Sequence, residues 1–150
     1  MALVQDAGNN LLIRLVLVLF LLYIMSVEDV RERALSVIRI LPFGAAGLIL
    51  SILSAERDIA GILSGTAIGA VLIAISAVTQ GKIGMGDGLV VAAVGMTLGF
   101  SLTFSLVFFS FLAGSIYALF LLVVKRKSRD TEYPYMPFLF VTYVGVLCVV

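Results

Sequence analysis

Residues 84–95 of this 150-residue chain have the sequence GMGDGLVVAAVG, a glycine-rich turn that carries one acid and leads into an apolar run. The chain is 62% hydrophobic and 13% charged, with a mean hydropathy of +1.21. A soluble domain of this length needs more polar surface, so an integral membrane protein is predicted. The fold class should be all-α, because lipid cannot satisfy the backbone of open sheets or loops. The runs are apolar on every side, whereas the strands of a membrane β-barrel alternate apolar and polar residues.

The apolar runs on either side of this stretch divide into six predicted spans of a single transmembrane domain. Their approximate bounds are 11–27, 34–54, 59–79, 89–100, 103–124 and 134–150. Residues 89–124 are too many for one crossing, and the segment 99–103 is the best place for a break. The expected fold is therefore a six-transmembrane-helix bundle in a lipid bilayer.

The basic residues are distributed unequally between the two sides that six spans define. One side carries most of them in three loops: Arg31, Arg33, Lys82, Lys125, Arg126, Lys127 and Arg129. The opposite side has Arg57, with Arg14 just inside the first span. The positive-inside rule then predicts a multi-pass protein of the cytoplasmic membrane with both termini outside. Five spans would move the cluster at 125–129 outside, so the charges favour six.

Small residues recur at helical spacing in the third and fourth predicted spans. They are Gly61, Gly65 and Gly69 in one span, and Gly95 and Gly99 in the other. Such stripes let helices approach closely in lipid, so we interpret them as a packing face rather than a site.

Several kinds of chemistry are poorly supported by the composition. The chain has no histidine and one cysteine, Cys148, so neither an internal disulfide nor a zinc site is expected. We therefore predict no metal and no cofactor, and no nucleic-acid partner. The first ten residues contain Asp6 and no basic residue, which argues against a cleaved signal peptide.

Two acids need an explanation, and each has an ordinary one. Asp29 follows the first span in the charged segment 28–33, and such a run is typically a solvated face. Asp87 has glycines on both sides, and an acid in a glycine-rich turn can simply cap the next helix. Arg39, one turn into the second span, is expected to snorkel to the interface or to pair with Glu32 or Asp29.

Taken together, the two acids predict more than either does alone. Two crossings separate Asp29 from Asp87, so both lie at the cytoplasmic ends of their helices. If spans 1 and 4 pack together, the carboxyl groups can face one another and retain one proton near neutral pH. The ionised acid would then be the general base for water, and the protonated one would polarise a carbonyl group.

Three segments resemble those of a known family. Residues 81–87, GKIGMGD, with LVVAAVG at 89–95, resemble the second catalytic motif of type IV prepilin peptidases. Asp29 and the basic residues after it are similar to the family's first motif. Residues 133–139, YPYMPFL, resemble the Pro-rich segment that opens the family's last helix. With the archaeal preflagellin peptidases, this family comprises membrane aspartyl proteases of the GxGD type.

The resemblance, which covers nearly the whole chain, implies both a site and a substrate. Asp29 and Asp87 would be the catalytic pair, with Lys82, Gly84, Met85 and Gly86 in the active-site loop. The substrate would be a prepilin-like precursor with a short basic leader and an apolar N-terminal helix, cut at the cytoplasmic face. The N-terminal domain of larger members is not expected here, so the resemblance implies a peptidase without the N-methyltransferase.

Two other functions stay open at this point. The chain has residues 35–37, Leu-Ser-Val, where many members have Ile-Pro-Asn, and Leu89 where many have Lys. These departures bear on substrate preference and leave room for an inactive structural relative in a pilus or secretion assembly. A small transporter or channel could use the acids as proton or cation sites, although both acids lie near one face rather than at the midplane. No oligomeric state is predicted.

Overall fold

The computed structural model describes residues 2–32, 35–53, 59–79, 84–123 and 134–149. Within these residues the chain is all-helical, with six helices and no strand. In chain order they are α1 (Ala2–Glu32), α2 (Val37–Leu53), α3 (Ile59–Val78), α4 (Met85–Leu98), α5 (Phe100–Val123) and α6 (Met136–Val149). The predicted all-α, six-helix architecture is confirmed.

The six helices differ in their length relative to a membrane. Three segments are long and apolar enough to cross one: Asn10–Glu32 in α1, the whole of α3, and Phe100–Leu121 in α5. The helices α2, α4 and α6 are also apolar but have 17, 14 and 14 residues. At about 1.5 Å per residue, a helix of 14 residues is shorter than the roughly 30 Å hydrocarbon core. The protein is a membrane protein, and six full crossings remain a prediction.

Helix α4 is the central element of the bundle. It contacts α1, α2, α3 and α5, and its residues are buried almost continuously from Gly88 to Leu98. This burial explains why the sequence of α4 is apolar on every side. A short helix enclosed by other helices does not need the length of a lipid-exposed span.

The chain breaks between α4 and α5 at Gly99, within the segment 99–103 that the sequence indicates. Gly99 has φ 78° and ψ −179°, a combination that is essentially restricted to glycine. Its N–H donates to the Gly95 carbonyl at 2.8 Å, which closes the last turn of α4. The long apolar run is therefore divided by a single residue with no side chain.

The interface between α3 and α4 is a backbone-to-backbone contact made through glycines. A Cβ added to Gly65 would overlap the carbonyl oxygen of Gly95, and a Cβ on Gly95 would overlap that of Gly65. A Cβ on Gly69 would overlap the backbone of Ala92. The interpretation of these glycines as a packing face is confirmed.

Polar side chains connect the helices at several points along the bundle. Arg14 is buried and its Nη2 donates to the Leu50 carbonyl of α2 at 3.2 Å. Ser51 Oγ donates to the Met96 carbonyl of α4 at 2.7 Å, and the Tyr143 hydroxyl donates to the Leu15 carbonyl of α1 at 2.9 Å. In a membrane, each such bond contributes on the order of 0.6–2 kcal/mol.

The hydrophobic core that matters for the site is shared by α1, α4 and α6. Its buried members include Val18, Leu21, Leu22 and Met25 of α1, Val90, Val91 and Val94 of α4, and Met136, Leu139 and Tyr143 of α6. This packing brings the end of α1 close to the beginnings of α4 and α6. Both predicted acids lie at that end of the bundle.

Candidate active site

Asp29 lies in the last turn of α1 and is bound to the beginning of α6. Its carboxylate is buried, with 8% of the residue exposed. Its Oδ2 accepts a hydrogen bond from the backbone N–H of Met136 at 2.9 Å, and the N–H of Tyr135 also donates to the carboxylate. The first N–H groups of a helix have no partner within the helix, so a carboxylate is well suited to them. The interpretation of Asp29 as part of a solvated face is therefore wrong.

Asp87 lies in the first turn of α4 and does not cap it. The N-cap position is taken by Gly84, and no side-chain hydrogen bond caps the helix. The backbone N–H of Asp87 donates to the Gly84 carbonyl at 3.1 Å. Among the residues that the structure describes, none donates a hydrogen bond to the Asp87 carboxyl group. The capping interpretation is therefore wrong as well.

The two carboxyl groups are close enough to interact electrostatically. Asp87 precedes the predicted span at 89–100, and its pKa is raised from an ordinary 3.8 to about 7. Burial of the carboxyl group is the larger cause, and the negative charge of Asp29 is the second. The structure thus brings the two predicted residues to one site, where one of them gains or loses a proton near neutral pH.

The first turn of α4 lies close to Leu35, in the segment between α1 and α2. A Cβ on Gly86 would lie 2.8 Å from the Cβ of Leu35, so the first turn of α4 packs against Leu35 only because residue 86 has no side chain. A Cβ on Gly84 would lie 2.9 Å from Oδ2 of Asp87. Met85 is exposed, and Lys82 lies outside the described residues.

Glu28 is a buried acid at the site that the sequence interpretation did not single out. Its Oε1 accepts a hydrogen bond from the Ser36 N–H at 2.9 Å, and its Oε2 forms an ion pair with Arg39 Nη1 at 3.1 Å. Arg39 was expected to snorkel or to pair with an acid such as Glu32 or Asp29; it pairs with an acid, but the partner is Glu28, and its side chain stays 53% exposed. Neighbouring residues on a helix point about 100° apart, so Glu28 faces α2 while Asp29 faces α6.

Tyr135 is a second residue whose importance the sequence did not reveal. It accepts hydrogen bonds at its carbonyl from Phe138 and Leu139, so it is the N-cap residue of α6. Its hydroxyl is hydrogen-bonded to Ser110 of α5. Its ring stacks on that of Phe111, and the two ring centroids are 5.0 Å apart. The only signal in the sequence was its place in the Pro-rich segment 133–139.

The part of the chain that the structure describes contains no group of three side chains suited to holding a metal ion. What it does contain is a pair of carboxyl groups in unlike surroundings, at one end of a helical bundle. Such a pair can exchange protons with a bound water or a carbonyl group. The fold and the site together define a helical membrane protein with a two-acid centre.

Comparisons with known proteins identify the family. Residues 15–119, which include both acids, match the Type IV leader peptidase family. The chain is 32% identical over 120 residues to the prepilin leader peptidase/N-methyltransferase of Bacillus subtilis (strain 168), with 78% of this chain and 48% of the relative covered. It thus spans about half the length of that relative. No solved structure matches the chain. This protein belongs to the type IV leader peptidase family.

Proposed function

We propose that this protein is a membrane aspartyl endopeptidase that cleaves the short basic leader from prepilin-like precursors. Asp29 and Asp87 are its catalytic dyad. Family membership and the relative named as a prepilin leader peptidase support the substrate class. The observation that carries the proposal is the placement of the two carboxyl groups at one end of the bundle, Asp29 at the end of α1 and Asp87 in the first turn of α4, where the charge of Asp29 contributes to raising the pKa of Asp87 to about 7.

The two acids take different roles because their surroundings differ. Asp29 accepts two backbone N–H bonds at the N-terminus of α6, and such bonds favour the ionised form. Asp87 has no comparable donor among the described residues, so the shared proton resides on Asp87. Asp29 is then the general base and Asp87 the general acid.

Protons balance over the two steps of this hydrolysis. As water attacks the scissile carbonyl carbon, Asp29 takes a proton from the water and Asp87 gives its proton to the carbonyl oxygen. In the second step the C–N bond breaks, Asp29 gives its proton to the leaving nitrogen, and Asp87 takes one back from a hydroxyl of the intermediate. Both acids return to their starting states, and no covalent intermediate forms.

The position of the dyad suits a leader peptide at a membrane surface. The site lies at the end of the bundle that carries the α1–α2 connection, which the positive-inside rule assigns to the cytoplasm. A precursor would place its apolar helix in the bilayer and its basic leader in the cytoplasm. The bond between these two parts would then meet the dyad at the membrane boundary.

Co-expression with a prepilin-like precursor tests this function. Asp29→Asn and Asp87→Asn are each expected to reduce leader removal by about 10³-fold or more, because either change removes a proton-transfer group. The readout is the mobility shift of the precursor on a gel, with membrane insertion of each variant checked by fractionation.

Glu32→Gln is the matched control, since Glu32 is an exposed acid in the last turn of the same helix as Asp29. It should leave cleavage within about twofold of wild type. Normal cleavage by Asp29→Asn or Asp87→Asn would refute the dyad. If the wild-type protein does not cleave the precursor but transports protons across the membrane of vesicles, and this transport depends on the two acids, the transporter alternative is supported instead.

A further inference from the structure

Tyr135 connects the candidate base to a helix that takes no part in the proposed chemistry. Its peptide N–H donates to the carboxylate of Asp29 on α1. Its hydroxyl is hydrogen-bonded to Ser110 on α5, and its ring stacks on Phe111 with an interplanar angle of 27°. One residue thus joins α1, α5 and the beginning of α6.

The prolines beside Tyr135 make its N–H group hard to replace. The segment Pro134-Tyr135-Met136-Pro137 has only two backbone N–H groups, because proline has none. Both of these groups donate to Asp29. The orientation of the Asp29 carboxylate therefore depends on how firmly Tyr135 and Met136 are held.

The direction of the Tyr135–Ser110 hydrogen bond follows from counting protons. Ser110 is fully buried, and its Oγ donates to the Val107 carbonyl of its own helix at 2.9 Å. A serine hydroxyl has a single proton, so the Tyr135 hydroxyl must be the donor and Ser110 the acceptor. Both hydroxyl groups are then satisfied, and the phenol ring has one defined orientation between Ser110 and Phe111.

We propose that Tyr135 is a positioning residue for Asp29, fixed through its hydroxyl by Ser110 and through its ring by Phe111. The proposal rests on the function of Asp29 proposed above. The phenol holds the backbone at the start of α6 so that two N–H groups stay directed at the carboxylate and fix its orientation.

Three variants test the contact, with the intact chain in detergent and a synthetic precursor peptide as substrate. The peptide carries a short basic leader, one glycine and about 20 apolar residues. Tyr135→Phe and Ser110→Ala should each lower kcat about tenfold with KM little changed, because misplacing a catalytic group slows chemistry and leaves binding intact. Ser110→Thr keeps a hydroxyl group and should retain most of the wild-type kcat.

Tyr143→Phe is the matched control. Tyr143 lies in α6 two turns beyond Tyr135, and its hydroxyl likewise donates to another helix, to the Leu15 carbonyl of α1 away from the dyad. Its loss should lower the melting temperature about as much as the loss of the Tyr135 hydroxyl, and change kcat by less than about twofold. The double variant Ser110→Ala/Tyr135→Phe should be no slower than the slower single variant, because the two changes remove the same hydrogen bond.

The outcomes separate this inference from the proposed function. Wild-type kcat for Tyr135→Phe, or equal losses of kcat for Tyr135→Phe and Tyr143→Phe, would overturn the positioning role. Asp29→Asn is measured in parallel. If it is inactive while Tyr135→Phe is fully active, the positioning role alone fails. If Asp29→Asn is fully active, the dyad itself is wrong.

Discussion

The last turn of α1 and the first turn of α4 each present an aspartate to the same site, in opposite surroundings. Asp29 is bound by two backbone N–H groups from the start of α6. Asp87 is partly buried beside glycines and has no hydrogen bond to its carboxyl group from the described residues. The same side chain thus has backbone donors in one place and none from the described residues in the other.

In the proposed mechanism, this difference lets a chain without histidine divide acid and base roles between two identical residues. Hydrogen-bond donors lower the free energy of a carboxylate, whereas burial without donors raises it. The end of α1 faces the helix N-terminus of α6, and the first turn of α4 lies beside Gly84 and Leu35. The roles follow from the packing of the helices, since the residue type is the same at both positions.

Removing the well-bound acid should have the largest effect on stability. Asp29→Ala leaves the N–H groups of Tyr135 and Met136 without their acceptor. A buried donor without a partner costs about 1–3 kcal/mol, so the free energy of unfolding in mixed micelles should fall by that amount. Glu32→Ala, at an exposed position of the same turn, should change it by less than about 0.5 kcal/mol. Equal losses for the two variants would show that Asp29 is not held as described.

Displacing the first turn of α4, which carries Asp87, should slow leader cleavage. Gly86→Ala places a Cβ against Leu35 and displaces the first turn of α4 from the α1–α2 connection. Leader cleavage should slow by about tenfold, because small displacements of catalytic groups are costly. Leu35→Gly in the same chain removes the clash and should restore part of the rate.

Gly145→Ala is the control for this substitution, because a Cβ at Gly145 would meet no atom within 4 Å. It should leave the cleavage rate unchanged and make the protein no less stable. Full activity of Gly86→Ala would indicate that the first turn of α4 and Leu35 need not be in contact during catalysis.

A further prediction concerns the pH dependence of stability that Asp87 contributes. Its pKa is about 7 in the folded protein and 3.8 when unperturbed, so between these values the folded state binds the extra proton. Stability should therefore fall as pH rises from about 4 to about 7. Asp87→Asn should flatten this dependence and raise the melting temperature at pH 8 relative to wild type. A melting temperature for Asp87→Asn that falls with pH as steeply as wild type would assign the dependence to other groups.

Parts of this arrangement follow from the sequence by local rules. The helices follow from apolar runs, the break from Gly99, and the α3–α4 contact from small residues spaced by four. The placement of Asp29 and Asp87 at one end of the bundle follows from counting two crossings between them. These features depend on neighbours in sequence or on topology, which a single sequence records.

Other parts depend on contacts that no local pattern encodes. The partners of Asp29 are 106 and 107 residues away at the start of α6, so the charged segment around Asp29, taken by itself, favoured a solvated face. The Tyr135–Ser110 bond and the Glu28–Arg39 ion pair also require the three-dimensional packing of different helices. Helix α4 shows the same limit, because its burial among other helices is a property of the packed bundle and is not visible in its composition.

The most direct test of the dyad is a carbon NMR titration of the protein labelled at its aspartate carboxyl groups. The chain has five aspartates, and the signals of Asp29 and Asp87 are assigned from the Asn variants. Asp87 is expected to titrate near pH 7 in wild type and at lower pH in Asp29→Asn, where the neighbouring charge is absent. An Asp87 signal that titrates near its ordinary value, or that is unaffected by Asp29→Asn, would contradict the coupled pair.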